Sequence, residues 1–150
     1  MTHPELAKSF FEQGYNCAQA VFLAFSALTK LDASTALRLS SSFGGGMGRL
    51  REVCGAVSGM FMAAGLLYGT EAGASQEDKA AHYARIRELA AAFREKHGSY
   101  ICRELLEGVS TTPGGAPEQR TETYYKKRPC GQLCYDAAEI LDNYIQEHPV

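Results

Sequence analysis

The chain of 150 residues is 45% hydrophobic with a formal net charge of -2, which suits one domain over 1–150 that buries a core without disulfide staples. Lacking the clustered Lys and Arg that displace counterions from phosphates, it is not expected to bind nucleic acid. Its longest apolar stretch, from Cys54 to Tyr68, falls short of the roughly 20 residues that cross a bilayer, and the N-terminus shows no export signal, so a cytoplasmic location is expected.

Nearly every periodic segment repeats at helical spacing and strand-like alternation is absent, so the expected fold is all-α, a compact bundle of about six to seven helices. Pro4 suits a first helical turn, and PELAKSFFEQG closes at Gly14. Asn16 followed by Gln19 has the form of a capping box. It starts a second helix, CAQAVFLAFSALTKL, at Cys17, with Val21, Phe22, Phe25 and Leu28 as the core stripe. A shorter helix covers ASTALRLSSSF, and GGGMG at 44–48 then breaks regular structure, because glycine loses the most freedom on ordering.

Cys54 opens the apolar helix that follows, in which Gly55, Gly59 and Ala63 recur every four residues and share one face. Small residues at that spacing let another helix approach closely, either within the chain or across a homodimer, and the number of apolar helices favours the homodimer. Ser75 and Asp78 cap a long amphipathic helix, QEDKAAHYARIRELAAAFREKH, which ends at Gly98. Ser99 caps the next, YICRELLEG. The Pro-, Gly- and Thr-rich segment 109–128 reads as a long surface loop, and its run Lys126-Lys127-Arg128 as a solvated face. Pro129 opens the last helix, CGQLCYDAAEILDNYIQEH.

Five cysteines is an odd number, and a reducing compartment disfavours structural disulfides, so the thiols are free, metal-bound or redox-active. Cys17 follows the cap Asn16, Cys54 opens the apolar helix, Cys102 lies three residues after Ser99, and Cys130 follows Pro129. All four fall in first turns, where unpaired N–H groups and the positive end of the helix dipole favour thiolate over thiol. Cys134, one turn after Cys130 on the same face, reads as a core residue or a spare thiol. No C-x-x-C pair occurs, which argues against zinc ribbons and fingers, a thioredoxin motif and a c-type haem. Convergence of the thiols therefore requires tertiary folding.

Other features carry less chemistry. GGGMGR lacks both the Lys-Ser/Thr and the preceding strand of a phosphate-binding loop, so its glycines are expected to bring backbone close to Cys54. Arg49 and Arg51 either steady anionic charge there or point to solvent. His97 is expected to complement the end of its helix rather than to replace a ligand. Tyr15, Tyr100, Tyr124 and Tyr125 read as core or rim aromatics, and the scattered carboxylates form no acid–base pair.

The blocks GYNCAQAV (14–21), FGGGMGR (43–49), CGAVSG (54–59), HGSYICREL (97–105) and CGQLCYDAAEIL (130–141) resemble, in order and over nearly the full length, the redox-active protein family named for the signature C_GCAxxG_C_C. The C-G-A-x-x-G block is the most specific. The four signature cysteines map onto Cys17, Cys54, Cys102 and Cys130, with Cys134 outside the pattern. The resemblance implies a small helical protein whose four cysteines serve redox chemistry or hold an iron–sulfur centre. Related domains occur in split-Soret cytochromes, which add haem to a cysteine-bound cluster; without a haem motif, only the cluster carries over.

Three expectations follow for the site. In the leading one, Cys17, Cys54, Cys102 and Cys130 bind an iron–sulfur cluster of the two-iron type and exchange electrons with a redox partner protein. In the second, the same residues form a metal-free thiol–disulfide relay with Cys54 as the attacking, catalytic thiol, since the glycines on both sides of it leave room for approach. The third is a structural interaction domain in which the same four thiolates close on zinc.

Overall fold

The structure, a computed structural model, describes residues 1–107, 113–122, 124 and 128–150. In chain order the helices are α1 (His3–Glu12), α2 (Cys17–Ala24), α3 (Ser26–Thr29), α4 (Ala33–Ser40), a 3-10 turn at Ser41–Phe43, α5 (Gly44–Met47), α6 (Gly55–Tyr68), α7 (Gln76–His97), α8 (Cys102–Leu105) and α9 (Cys130–Glu147). No strand occurs among the described residues; Val53 and Ile101 form one isolated antiparallel bridge. Among the same residues, no helix is long and apolar enough to cross a membrane.

Local hydrogen bonding fixes the helix starts. Asn16 Oδ1 accepts from Gln19 N at 2.9 Å while Asn16 N donates to Gln19 Oε1 at 3.1 Å, and Ser75 and Asp78 make the same reciprocal pair at the head of α7. Each such cap stabilises its helix by about 1 kcal/mol. Thr2 and Glu5 form a third box, which places the start of α1 at His3 with Pro4 one residue inside it.

Two expected helices differ. The second breaks at Phe25, whose φ of -97° and ψ of 12° leave helical geometry. Its ring is fully buried, but beyond the break Leu28 is 41% exposed and drops out of the core stripe. The helix expected from Ser99 is cut to one turn, Cys102–Leu105. Ser99 does not cap it: its Oγ accepts from Ile101 N and donates to Glu104. Residues 100–102 are instead drawn into extended pairing with 52–54, through Cys54 N to Tyr100 O at 2.8 Å and Cys102 N to Glu52 O at 2.5 Å.

α1 packs on α9 and α2, and α2 on α6. Phe22, Phe25, Met60, Phe93, Leu89 and Leu141 are fully buried between these helices, each contributing roughly 1.5–3 kcal/mol of hydrophobic stabilisation. The small-residue face of α6 is filled by α2 of the same chain, since a Cβ on Gly59 would lie 2.6 Å from Ala18 O and one on Gly55 2.5 Å from Cys17 Sγ. α7 gives the core only Leu89 and Phe93.

The glycine segment is one turn of left-handed backbone. Gly45, Gly46, Met47, Gly48 and Arg49 all have φ between 58° and 74°, and Arg51 returns to 62°. For a residue with a Cβ this conformation costs roughly 1–2 kcal/mol. Hydrogen bonds from Gly48 N to Ser42 O at 2.8 Å and from Glu52 N to Gly46 O at 3.0 Å hold the turn closed. Gly46 is obligatory on space as well, because a Cβ there would stand 2.7 Å from Cys102 Cβ.

Candidate functional site

Cys17, Cys54, Cys102 and Cys130 line one cavity of about 320 Å3, and all four are free thiols. Each comes from the start of a different helix: Cys54 is the N-cap of α6, and Cys17, Cys102 and Cys130 are the first residues of α2, α8 and α9. The capping box of α2 positions Cys17, and the same Asn16 donates from Nδ2 to Ser41 O at 3.1 Å, tying that end to the 3-10 turn that precedes the glycines. Gly55 and Gly46 leave the room that Cys17 and Cys102 occupy. The glycines flanking these cysteines therefore act by letting four chain segments crowd around one space.

Cys134 does not line this cavity. It is fully buried in the core, with its Sγ donating to Cys17 O at 3.8 Å. His97 is also off the wall; it stands in the last turn of its helix, as expected, with its ring Nε2 2.9 Å from Asp136 Oδ2 on α9. Tyr124 lines the cavity, whereas Tyr15 and Tyr100 are half-buried against the core.

The wall is cationic. Arg49, Arg51, Arg120 and Arg128 line it, with Glu118 as the one acid among the described lining residues. Arg51 is 5% exposed. It donates from Nη1 to Cys102 Sγ at 3.8 Å, while its buried Nε has no partner. Arg120 donates to the carbonyls of Phe11 and Tyr15 and stacks its guanidinium 4.1 Å from the Phe11 ring centre. Arg128, expected on a solvated face, is buried instead because Glu118 pairs with it and the Tyr124 ring covers it at 5.2 Å. Lys126, Lys127 and Tyr125 of the sequence reading lie outside the described residues, as do 109–112 of the expected loop.

The electrostatics reverse one expectation. First-turn placement favours thiolate, yet burial pushes the Cys54 thiol well above its ordinary range, and the neighbouring Cys17 and Cys130 sulfurs push it further. Burial, then Cys17 and Cys102, drive Cys130 up to about 12 against the pull of Arg128 and Arg120. Cys102 is also raised by burial, with the Arg51 hydrogen bond and charge opposing the rise. Desolvation outweighs the helix termini, and the sulfurs stand close enough to resist ionising together.

Among the described residues, no group of three or more His, Cys, Asp or Glu side chains stands ready to close on one metal ion.

A family model described as "Putative redox-active protein (C_GCAxxG_C_C)" matches residues 15–144. The chain belongs to this family. The four thiols on the cavity wall all lie within the matched range, and Gly55, next to Cys54, is the glycine that makes space for Cys17. No curated protein and no solved structure matches.

The site residues that the sequence did not announce are Glu118, Arg120 and Arg128. All three lie in the segment read as a surface loop, and nothing local separates them from solvated charges. Only their long-range partners, Phe11, Tyr15 and Arg49, mark them.

Proposed function

We propose that this chain is an electron-transfer protein whose Cys17, Cys54, Cys102 and Cys130 bind an iron–sulfur cluster of the two-iron type, working with a redox partner protein. The observation that carries the reading is the convergence of these four cysteines, from four helix starts, on one arginine-lined cavity. When bound, the cluster supplies a one-electron couple. A two-iron cluster takes its thiolates two per iron.

The chain's own residues then have defined tasks. The four thiols give up their protons on loading, since a coordinating thiol is deprotonated outright. Arg51, beside Cys102 Sγ, offsets the negative charge that four thiolates bring. The amides of Val57 and Ala56 at the start of α6 face the Cys54 sulfur, and Phe11 and Leu133 on the wall exclude water. The relay reading asks for a thiol of lowered pKa, and Cys54 is pushed the other way.

Oxygen-free purification followed by absorption spectroscopy and assay of iron and labile sulfide tests the proposal. Iron and sulfide in equal amounts, with visible charge-transfer bands, are expected. A chain with neither, or with stoichiometric zinc after oxygen-free handling, overturns it.

A further inference from the structure

Three guanidinium groups turn a terminal nitrogen towards a single oxygen, Glu118 Oε1. Arg49 and Arg51 stand at 3.6 and 3.7 Å, within ion-pairing range but beyond a hydrogen bond, whereas Arg128 grips the oxygen directly. The side chains of Arg49, Arg51 and Arg128 are only 15%, 6% and 4% exposed, against 38% for Glu118. The cations belong to the fold, and the anion reaches them from a surface strap.

One carboxylate oxygen leaves Arg51 incompletely served. Arg51 Nε is buried without any partner, and its Nη2 is too far from Glu118 for a hydrogen bond. A buried, unpaired N–H on a charged group costs stability until an acceptor arrives. Arg51 is short of an acceptor, and guanidinium forks engage best with a ligand that offers several oxygens in fixed geometry. The strap has other fastenings, from Gly114 N to Arg49 O at 2.8 Å and from Arg120 to Tyr15 O at 2.7 Å. Loss of the Glu118 contact therefore leaves the strap still attached.

We propose that Arg49, Arg51 and Arg128 form an oxyanion subsite in the wall of the cysteine cavity, filled by Glu118 in the resting chain and taking a small tetrahedral oxyanion of the phosphate or sulfate class. The ligand replaces the Glu118 carboxylate and supplies the acceptor that Arg51 Nε lacks. Arg51 also touches Cys102 Sγ, so the ligand sits one side chain away from a sulfur of the site.

The test titrates the purified full chain with sodium phosphate, sodium sulfate and sodium acetate at constant ionic strength, reading heat of binding and melting temperature in the wild type, E118Q and R128Q. Saturable binding of phosphate or sulfate is expected. E118Q tightens it about tenfold by removing the internal competitor, and R128Q weakens it about tenfold or more, the scale of one charged hydrogen bond. R49Q gives a second weakening variant should R128Q fail to fold. Binding of phosphate alone assigns the phosphate class, and equal binding of both anions assigns shared tetrahedral geometry. Acetate binding as well as either anion overturns the ligand class, and unchanged affinity in E118Q overturns the subsite. Iron and sulfide assayed on the same samples separate this test from the cluster reading: anion binding without iron sinks the cluster alone, and iron without anion binding sinks the subsite alone.

Discussion

Arg51 holds its Nη1 3.8 Å from the Cys102 sulfur, across fifty-one residues of chain, while its backbone sits at a φ of 62°. The strained conformation is braced by Arg103, whose amide and guanidinium both donate to Arg51 O at 3.2 Å. A cation held in this way favours the more negative, reduced form of whatever the sulfurs bind. Arg51→Gln is therefore expected to lower the reduction potential of the loaded protein by roughly 50–100 mV, where 59 mV is tenfold for one electron. Voltammetry on wild type and variant checks this, and an unchanged or raised potential refutes it.

The cysteines should divide four against one. Cys17→Ala, Cys54→Ala, Cys102→Ala and Cys130→Ala are each expected to abolish iron retention. Cys134→Ala should keep it and lose about 1 kcal/mol of stability from the small cavity left in the core. Iron assay beside chemical denaturation separates the two classes, and a Cys134 variant that loses its iron while still folded contradicts the assignment.

Three glycines of α6 make a graded series. Gly59→Ala sets a Cβ 2.6 Å from backbone oxygen of α2 and should cost about 1–3 kcal/mol. Gly55→Ala meets Cys17 Sγ at 2.5 Å, so it should reduce iron content in addition to stability. Gly65→Ala meets nothing within 4 Å and should stabilise by roughly 0.5–1 kcal/mol through helix propensity. Urea titrations read all three, and a stabilising Gly59→Ala would sink the close-packing account.

Asp32 supplies a pH dependence. Its side chain caps α4 by accepting from Thr35 N at 3.0 Å, and that hydrogen bond holds its pKa below the ordinary 3.8. The unfolded chain thus binds this proton more readily, so the cap's contribution is complete above pH 3.8 and is lost as the pH falls through the folded value. The melting-temperature deficit of Asp32→Ala is expected to be present at pH 7 and to shrink as the medium is acidified below about pH 4. A deficit that grows on acidification reverses the sign and the explanation.

Much of the fold is written locally. Asn16 with Gln19 and Ser75 with Asp78 state their helix starts in four residues each, and the spacing of Gly55, Gly59 and Ala63 states a close helix contact. Which helix fills that face is not local, and α2 does so from the same chain. The break at Phe25 is hidden because its neighbours are good helix formers, and the departure comes from tertiary packing of its buried ring. The four cysteines are legible as a set because each stands at a helix start. Their ionisation is not, since it depends on burial that no helix end reveals. Arg128 and Glu118 are illegible for the same reason, each being defined by the other.

Cys17 stands near the beginning of the chain and Cys130 on its final helix, and both face the same cavity. A nascent polypeptide therefore has no partial version of the pocket: until α9 docks against α1, one wall is missing. Any occupant must arrive after α9 has been made and has docked, and once seated it rivets together two segments that lie far apart in the sequence.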